Sequence, residues 1–140
     1  LRARLLEGAV GKSLTARVAG SPITGTRAAE LDATLARLGL TDYGFTPCDD
    51  GPRLNAAERL QQFRRARAWL RTQARTKGIN PHAGSTYALK HRAEPAIGWT
   101  AAGIFIAAAV AAGFAVRRCN ASSPNAFVNI STRITTTLAA

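Results

Sequence analysis

Three features of this sequence predict a mainly helical α+β chain that ends in a small β-hairpin. One is an arginine-rich stretch opened by Asn55 and Glu58, the spacing of a helix cap. Another is an uncharged, alanine-rich run over 96–116. The third is a pair of short stretches near the C-terminus separated by Ser122-Ser123-Pro124-Asn125, a turn composition. With 140 residues, 46% of them hydrophobic, the chain is long enough to bury one core. It reads as a single domain over 26–140 behind an irregular N-terminal arm over 1–25.

Gly8, Gly11, Gly20, Ser21, Pro22 and Gly25 break up the arm, which leaves room for one strand at 14–18, where apolar and polar residues alternate. Thr26 has the chemistry of an N-cap. Ala28, Leu31, Leu35 and Leu38 then recur at helical spacing until Gly39, so a helix is expected over 27–38. Pro47 and Asp49-Asp50-Gly51-Pro52 make 42–53 a loop. From Asn55 a second helix is expected to run to about Lys77, before Gly78 and Pro81. Its apolar face is Ala56, Phe63, Ala66, Leu70 and Ala74, and Arg64, Arg67, Arg71 and Arg75 stack on the neighbouring face. Like charges four residues apart destabilise an isolated helix, so this stripe calls for an anionic partner.

Ser85 can cap a short helix carrying Tyr87, Leu89, Lys90, His91 and Arg92, which Pro95 terminates or kinks. Thr100 can cap another over 101–112, ended by Gly113. Strands follow at 114–118 and 126–133, with Val128, Ile130, Thr132 and Ile134 on one face. The twenty-one residues of 96–116 carry no charge and match a membrane span in length. Nine of them are alanine and three are glycine, which makes transfer into lipid marginal and favours a short helix surrounded by core. A membrane partner is therefore disfavoured.

Charge is the sharper guide to partners. Residues 1–58 carry seven basic and seven acidic side chains, whereas 59–140 carry twelve basic residues against Glu94 alone, so the whole net charge of +11 lies in the second part. Such a surface repels itself unless a polyanion neutralises it, and nucleic acid is the leading partner. Cys48 and Cys119 lie far apart with no signal-peptide pattern ahead of them, so a cytoplasmic location with reduced thiols is expected rather than a disulfide.

The order helix, turn, helix, two strands over 84–133, with Leu89-Lys90-His91-Arg92-Ala93, Ile97-Gly98, Ile104, Ala108 and Gly113-Phe114, resembles winged helix-turn-helix DNA-binding domains. The resemblance implies a single winged-helix-like domain. In that family the second helix enters the major groove and the strand pair is a wing on the phosphates. This chain departs from the pattern, because 101–112 offers no hydrogen-bonding side chain to read a base. Contacts are expected instead from Arg64, Arg67, Arg71, Arg75, Lys90, Arg92, Arg117, Arg118 and Arg133. Trp69, Tyr87 and Trp99 are scattered along the chain, which favours duplex DNA over RNA or single strands. The function expected is a non-catalytic regulator or accessory factor, for instance in transcription, and self-association into a homo-oligomer is compatible with it. The alternative is a structural or inhibitor protein whose arginines dock an acidic protein surface, with a small membrane-inserted protein behind it.

Other motifs carry less. Gly11-Lys12-Ser13 has the ending of a phosphate-binding loop, but Leu6 stands where its first glycine belongs. Cys48, His82, His91 and Cys119 lack the close ligand pairs of structural zinc sites. His91 and Glu94 share a helix face, without a second base or metal to make a nuclease. Asn120-Ala121-Ser122 and Asn129-Ile130-Ser131 fit the glycosylation pattern only in a secretory setting. No catalytic residue, metal or cofactor is expected.

Overall fold

The computed structural model describes residues 28–135 and two short segments before them, Leu5–Leu6 (β1) and Val10–Gly11 (β2). These two pair antiparallel, Leu5 opposite Gly11 and Leu6 opposite Val10. The strand expected at 14–18 and the Thr26 cap lie outside the described residues. The architecture is mainly helical with small antiparallel hairpins, as the sequence predicts.

The first helix, α1 (Ala28–Leu38), buries Leu31, Thr34 and Leu35 and gives way to Gly39 at φ 72°, the left-handed conformation that glycine adopts without strain. A tight hairpin, β3 (Leu40–Thr41) with β4 (Gly44–Phe45), then occupies the start of the expected loop. Thr41 holds it, its hydroxyl accepting from the Tyr43 amide at 3.0 Å. This local side-chain bond made a hairpin where turn residues alone signalled a loop.

In α2 (Ala56–Leu70) the capping box forms in both directions. Asn55 Oδ1 accepts from the Glu58 amide at 2.8 Å, and Glu58 Oε1 accepts from the Asn55 amide at 2.9 Å. The helix stops at Leu70, short of Lys77. Competition from the C-terminal strand accounts for the early stop. Gln73 is buried and grips the Thr135 backbone twice, its Oε1 accepting from the amide and its Nε2 donating to the carbonyl. The chain then runs extended, with Arg75 opposite Ile130, Thr76 N donating to Asn129 O, and Ser131 N donating to Ala74 O. Ala56 and Ala74, expected on the buried face, are exposed.

A 3₁₀ turn, Pro81–Ala83, leads to α3 (Thr86–Ile97), capped by Ser85 as expected. Pro95 neither ends nor breaks it. The ring sits in the last turn on the exposed side, and the helix closes with Gly98 N donating to Glu94 O at 2.8 Å. After four residues the chain enters α4 (Ala102–Ala111), which meets α3 at 84°. Thr100 does not cap α4. Its hydroxyl donates back to Gly98 O, and the orphan amides find partners elsewhere: Ala101 N donates to Gln62 Oε1 and Gly103 N to Asp42 O, both at 2.8 Å.

Gly103 through Ala109 are all buried, so α4 is the central core element, packed by α1, α2, α3 and the β3–β4 hairpin. Gly103 is required there, because a Cβ would overlap the Thr41 carbonyl oxygen. No single helix among the described residues is long and apolar enough to cross a membrane. The final hairpin, β5 (Val116–Arg118) with β6 (Ala126–Val128), sets Val116 opposite Val128 and Arg117 opposite Phe127. It is shorter than 114–118 and 126–133. Beyond Val128 the second strand turns to the 74–76 segment, and Thr132 is exposed whereas Val128 and Ile130 are buried.

Candidate nucleic-acid interface

Four acidic residues, Glu30, Asp32, Asp42 and Glu94, engage two arginines and a lysine, and this decides which of the cations after position 58 are tied into the fold. Arg59 meets Asp42 at 2.9 Å and Asp32 at 3.1 Å, and its hydrogen bond to Asp42 raises its pKa further above the usual arginine value. Arg67 is buried, with Nη1 2.8 Å from Glu30 Oε1 and its guanidinium 4.9 Å above the Phe63 ring. Lys90 is buried as well, Nζ standing 3.6 Å from Glu94 Oε2. Arg67 and Lys90, both expected at the interface, are therefore ion-paired parts of the fold. Arg118 is half-buried. It donates to the carbonyls of Ser123 and Thr46 and lies over Phe45, tying the β5–β6 turn to the first hairpin.

Arg64, Arg71, Arg75, Arg92, Arg117 and Arg133 are exposed, and so are Arg65 and Lys77, which the helical-stripe reading passed over. They do not form one stripe. Arg75 left the helix when α2 ended, and the burial of Arg67 leaves Arg64 and Arg71 seven residues apart on one side of α2. A second group gathers on the C-terminal sheet.

Asn129 is the tie of that sheet. Its Oδ1 accepts from Ala115 N at 2.7 Å, its Nδ2 donates to Thr76 O at 3.3 Å, and its own carbonyl accepts from Thr76 N. The extended 74–76 segment and β5 are thereby held together, which brings Arg75, Lys77, Arg117 and Arg133 onto neighbouring strands and their ends. Arg75 donates to Gly113 O at 2.9 Å and reaches over Phe114, and Arg117 lies 5.9 Å above the Phe127 ring. Stacking on an aromatic ring holds a guanidinium at a set height, with donors free for a phosphate.

The aromatics are not scattered in space. Trp69 is fully buried and donates Nε1 to Thr135 O, but Tyr87 and Trp99 are 57% and 50% exposed and stand on Lys90, whose Nζ is 5.9 and 5.8 Å from their ring centres. Tyr43 packs on Trp99, and His91 edges Tyr87. Sequence order hid this group, because Tyr43 belongs to the first hairpin and Trp99 to the α3–α4 turn.

His91 Nδ1 lies 3.3 Å from Glu94 Oε1 on an open helix face. Cys48 and Cys119 are free thiols, and burial pushes the Cys119 thiol up, opposed by its hydrogen bond with Ser123 and by the charge of Arg117. Burial, aided by the charges of Asp42, Asp49 and Glu58, raises the Tyr43 phenol. Among the described residues no group of three or more His, Cys, Asp or Glu side chains is placed to hold a metal. No family model, no curated protein and no solved structure matches the chain.

Proposed function

We propose that this protein binds nucleic acid through its phosphates and acts as a non-catalytic regulator or accessory factor. One observation supports this reading above the rest. After Arg59, Arg67 and Lys90 have taken Asp32, Asp42, Glu30 and Glu94, nine of the twelve lysines and arginines that follow position 58 have no acidic partner within 4 Å among the described residues. These are Arg64, Arg65, Arg71, Arg75, Lys77, Arg92, Arg117, Arg118 and Arg133.

Unneutralised arginines on a folded surface raise the local concentration of a polyanion and give its phosphates bidentate donors. Phosphate contacts of this kind position a strand without reading its sequence. Since α4 is buried and has no polar side chain, the contacts fall to the exposed side of α2 and to the C-terminal sheet.

The test is binding of labelled duplex and single-stranded oligonucleotides of mixed sequence, with wild type and a Lys77→Ala, Arg117→Ala, Arg133→Ala triple variant. The wild type should bind at micromolar concentrations or tighter, and the triple variant should lose about tenfold or more at equal folded content. A wild type that binds neither polymer overturns the reading. Undiminished binding by the variant would remove the C-terminal sheet from the interface.

A further inference from the structure

We propose that Tyr87 and Trp99, mounted on Lys90, form a stacking site for unpaired nucleobases, so that the nucleic acid this protein takes is single-stranded where it meets α3. The proposal rests on the nucleic-acid reading above and gives it a ligand class. It reverses the preference for duplex DNA, whose premise was the scatter of the aromatics.

Tyr87 and Trp99 are the two large apolar side chains left exposed among the described residues, the others there being buried or half-buried. Both rings lie within 6 Å of one buried ammonium, so they occupy a common patch rather than separate surface positions. Each is also braced by a neighbour. Tyr43 packs on Trp99 with ring centres 6.3 Å apart, and the Tyr43 hydroxyl is itself tied to Pro52 O. His91 meets the Tyr87 ring edge-on at 4.5 Å. Rings held this way lose little freedom when a flat ligand settles on them.

The class of ligand follows from the charges. Lys90, paired with Glu94, already takes the place over both rings that a second cation, such as a quaternary ammonium, would need in an aromatic cage. A neutral planar group that brings its own anion fits better. Arg65 completes the arrangement: its Nη1 stands 3.8 Å from where a Cβ on Gly98 would lie, next to Trp99, and it has no acidic partner among the described residues. A nucleotide offers both parts, a base for the rings and a phosphate for the guanidinium. In a duplex the base faces are stacked on one another and closed to such a platform.

The experiment uses the full chain with Tyr87→Ala, Trp99→Ala and Trp99→Phe, titrated against labelled oligo(dT) and a labelled hairpin duplex. Each alanine variant should lose about tenfold in oligo(dT) affinity, with duplex affinity held within about twofold and Trp99→Phe close to wild type. Because Trp69 is fully buried, oligo(dT) should also quench the wild-type tryptophan emission, and Trp99→Ala should abolish that quenching. Equal losses on both polymers, or none on either, overturn the stacking site while leaving phosphate binding in place. A wild type that binds no polynucleotide overturns both.

Discussion

Arg67 Nη1 and Glu30 Oε1 meet at 2.8 Å, joining the middle of α2 to the first turn of α1. The pair takes one arginine out of the basic surface and gives it a structural task, with Phe63 beneath the guanidinium. Arg67→Ala leaves Glu30 without its partner and removes a buried stem, at a cost of about 2 kcal/mol for a pair still partly open to water. Urea unfolding should show that loss, and the folded variant should bind nucleic acid with the salt dependence of the wild type. A flatter salt dependence at unchanged stability would return Arg67 to the interface.

Gly103→Ala is the sharpest test of the core. The added methyl would overlap the Thr41 carbonyl oxygen where α4 passes beneath the β3–β4 hairpin, and neither backbone has room to retreat without losing the Asp42 bond to Gly103 N. Overpacking at such a crossing costs about 3 kcal/mol or more. Thermal melting should drop sharply or the protein should fail to fold, whereas a melting temperature within a few degrees of wild type would contradict this packing.

Tyr43 supplies a prediction in pH. Burial and three nearby carboxylates hold its phenol above the ordinary value of 10.0, so the folded state keeps this proton longer than the unfolded chain does. The stability linked to that proton is fully present below pH 10 and is lost as pH rises through the folded value. Phenolate absorbance should contain a late-titrating component that disappears in Tyr43→Phe, and the same variant should lose less stability above pH 10 than wild type does. A titration unchanged by the substitution would mean that Tyr43 is not held this way.

Local signals were legible where one short segment decides the outcome. Asn55 with Glu58, Ser85, and Gly39 each capped or ended a helix as their chemistry requires, and the lack of any polar side chain in 101–112 placed α4 in the core. What the sequence hid was decided by distant partners. The end of α2 depends on Thr135 and Ile130, and α4 is capped by Gln62 and the Asp42 carbonyl rather than by Thr100. For the candidate site the same division holds. The excess of cations is visible in the composition, but only the fold shows that Glu30 and Glu94 withdraw Arg67 and Lys90 from it and that Tyr87 and Trp99 share a patch.

If the cations left over by the internal ion pairs hold a polyphosphate, binding releases counterions and weakens as salt rises. The affinity of wild type for a mixed-sequence oligonucleotide should be measured across a series of salt concentrations. If about five of the nine meet phosphates at once, log affinity against log salt falls with a slope of about −4, and Arg117→Ala makes it shallower by about one unit. A slope shallower than about −1, or a slope that Arg117→Ala, Lys77→Ala and Arg71→Ala all leave unchanged, would mean that these cations do not hold phosphates.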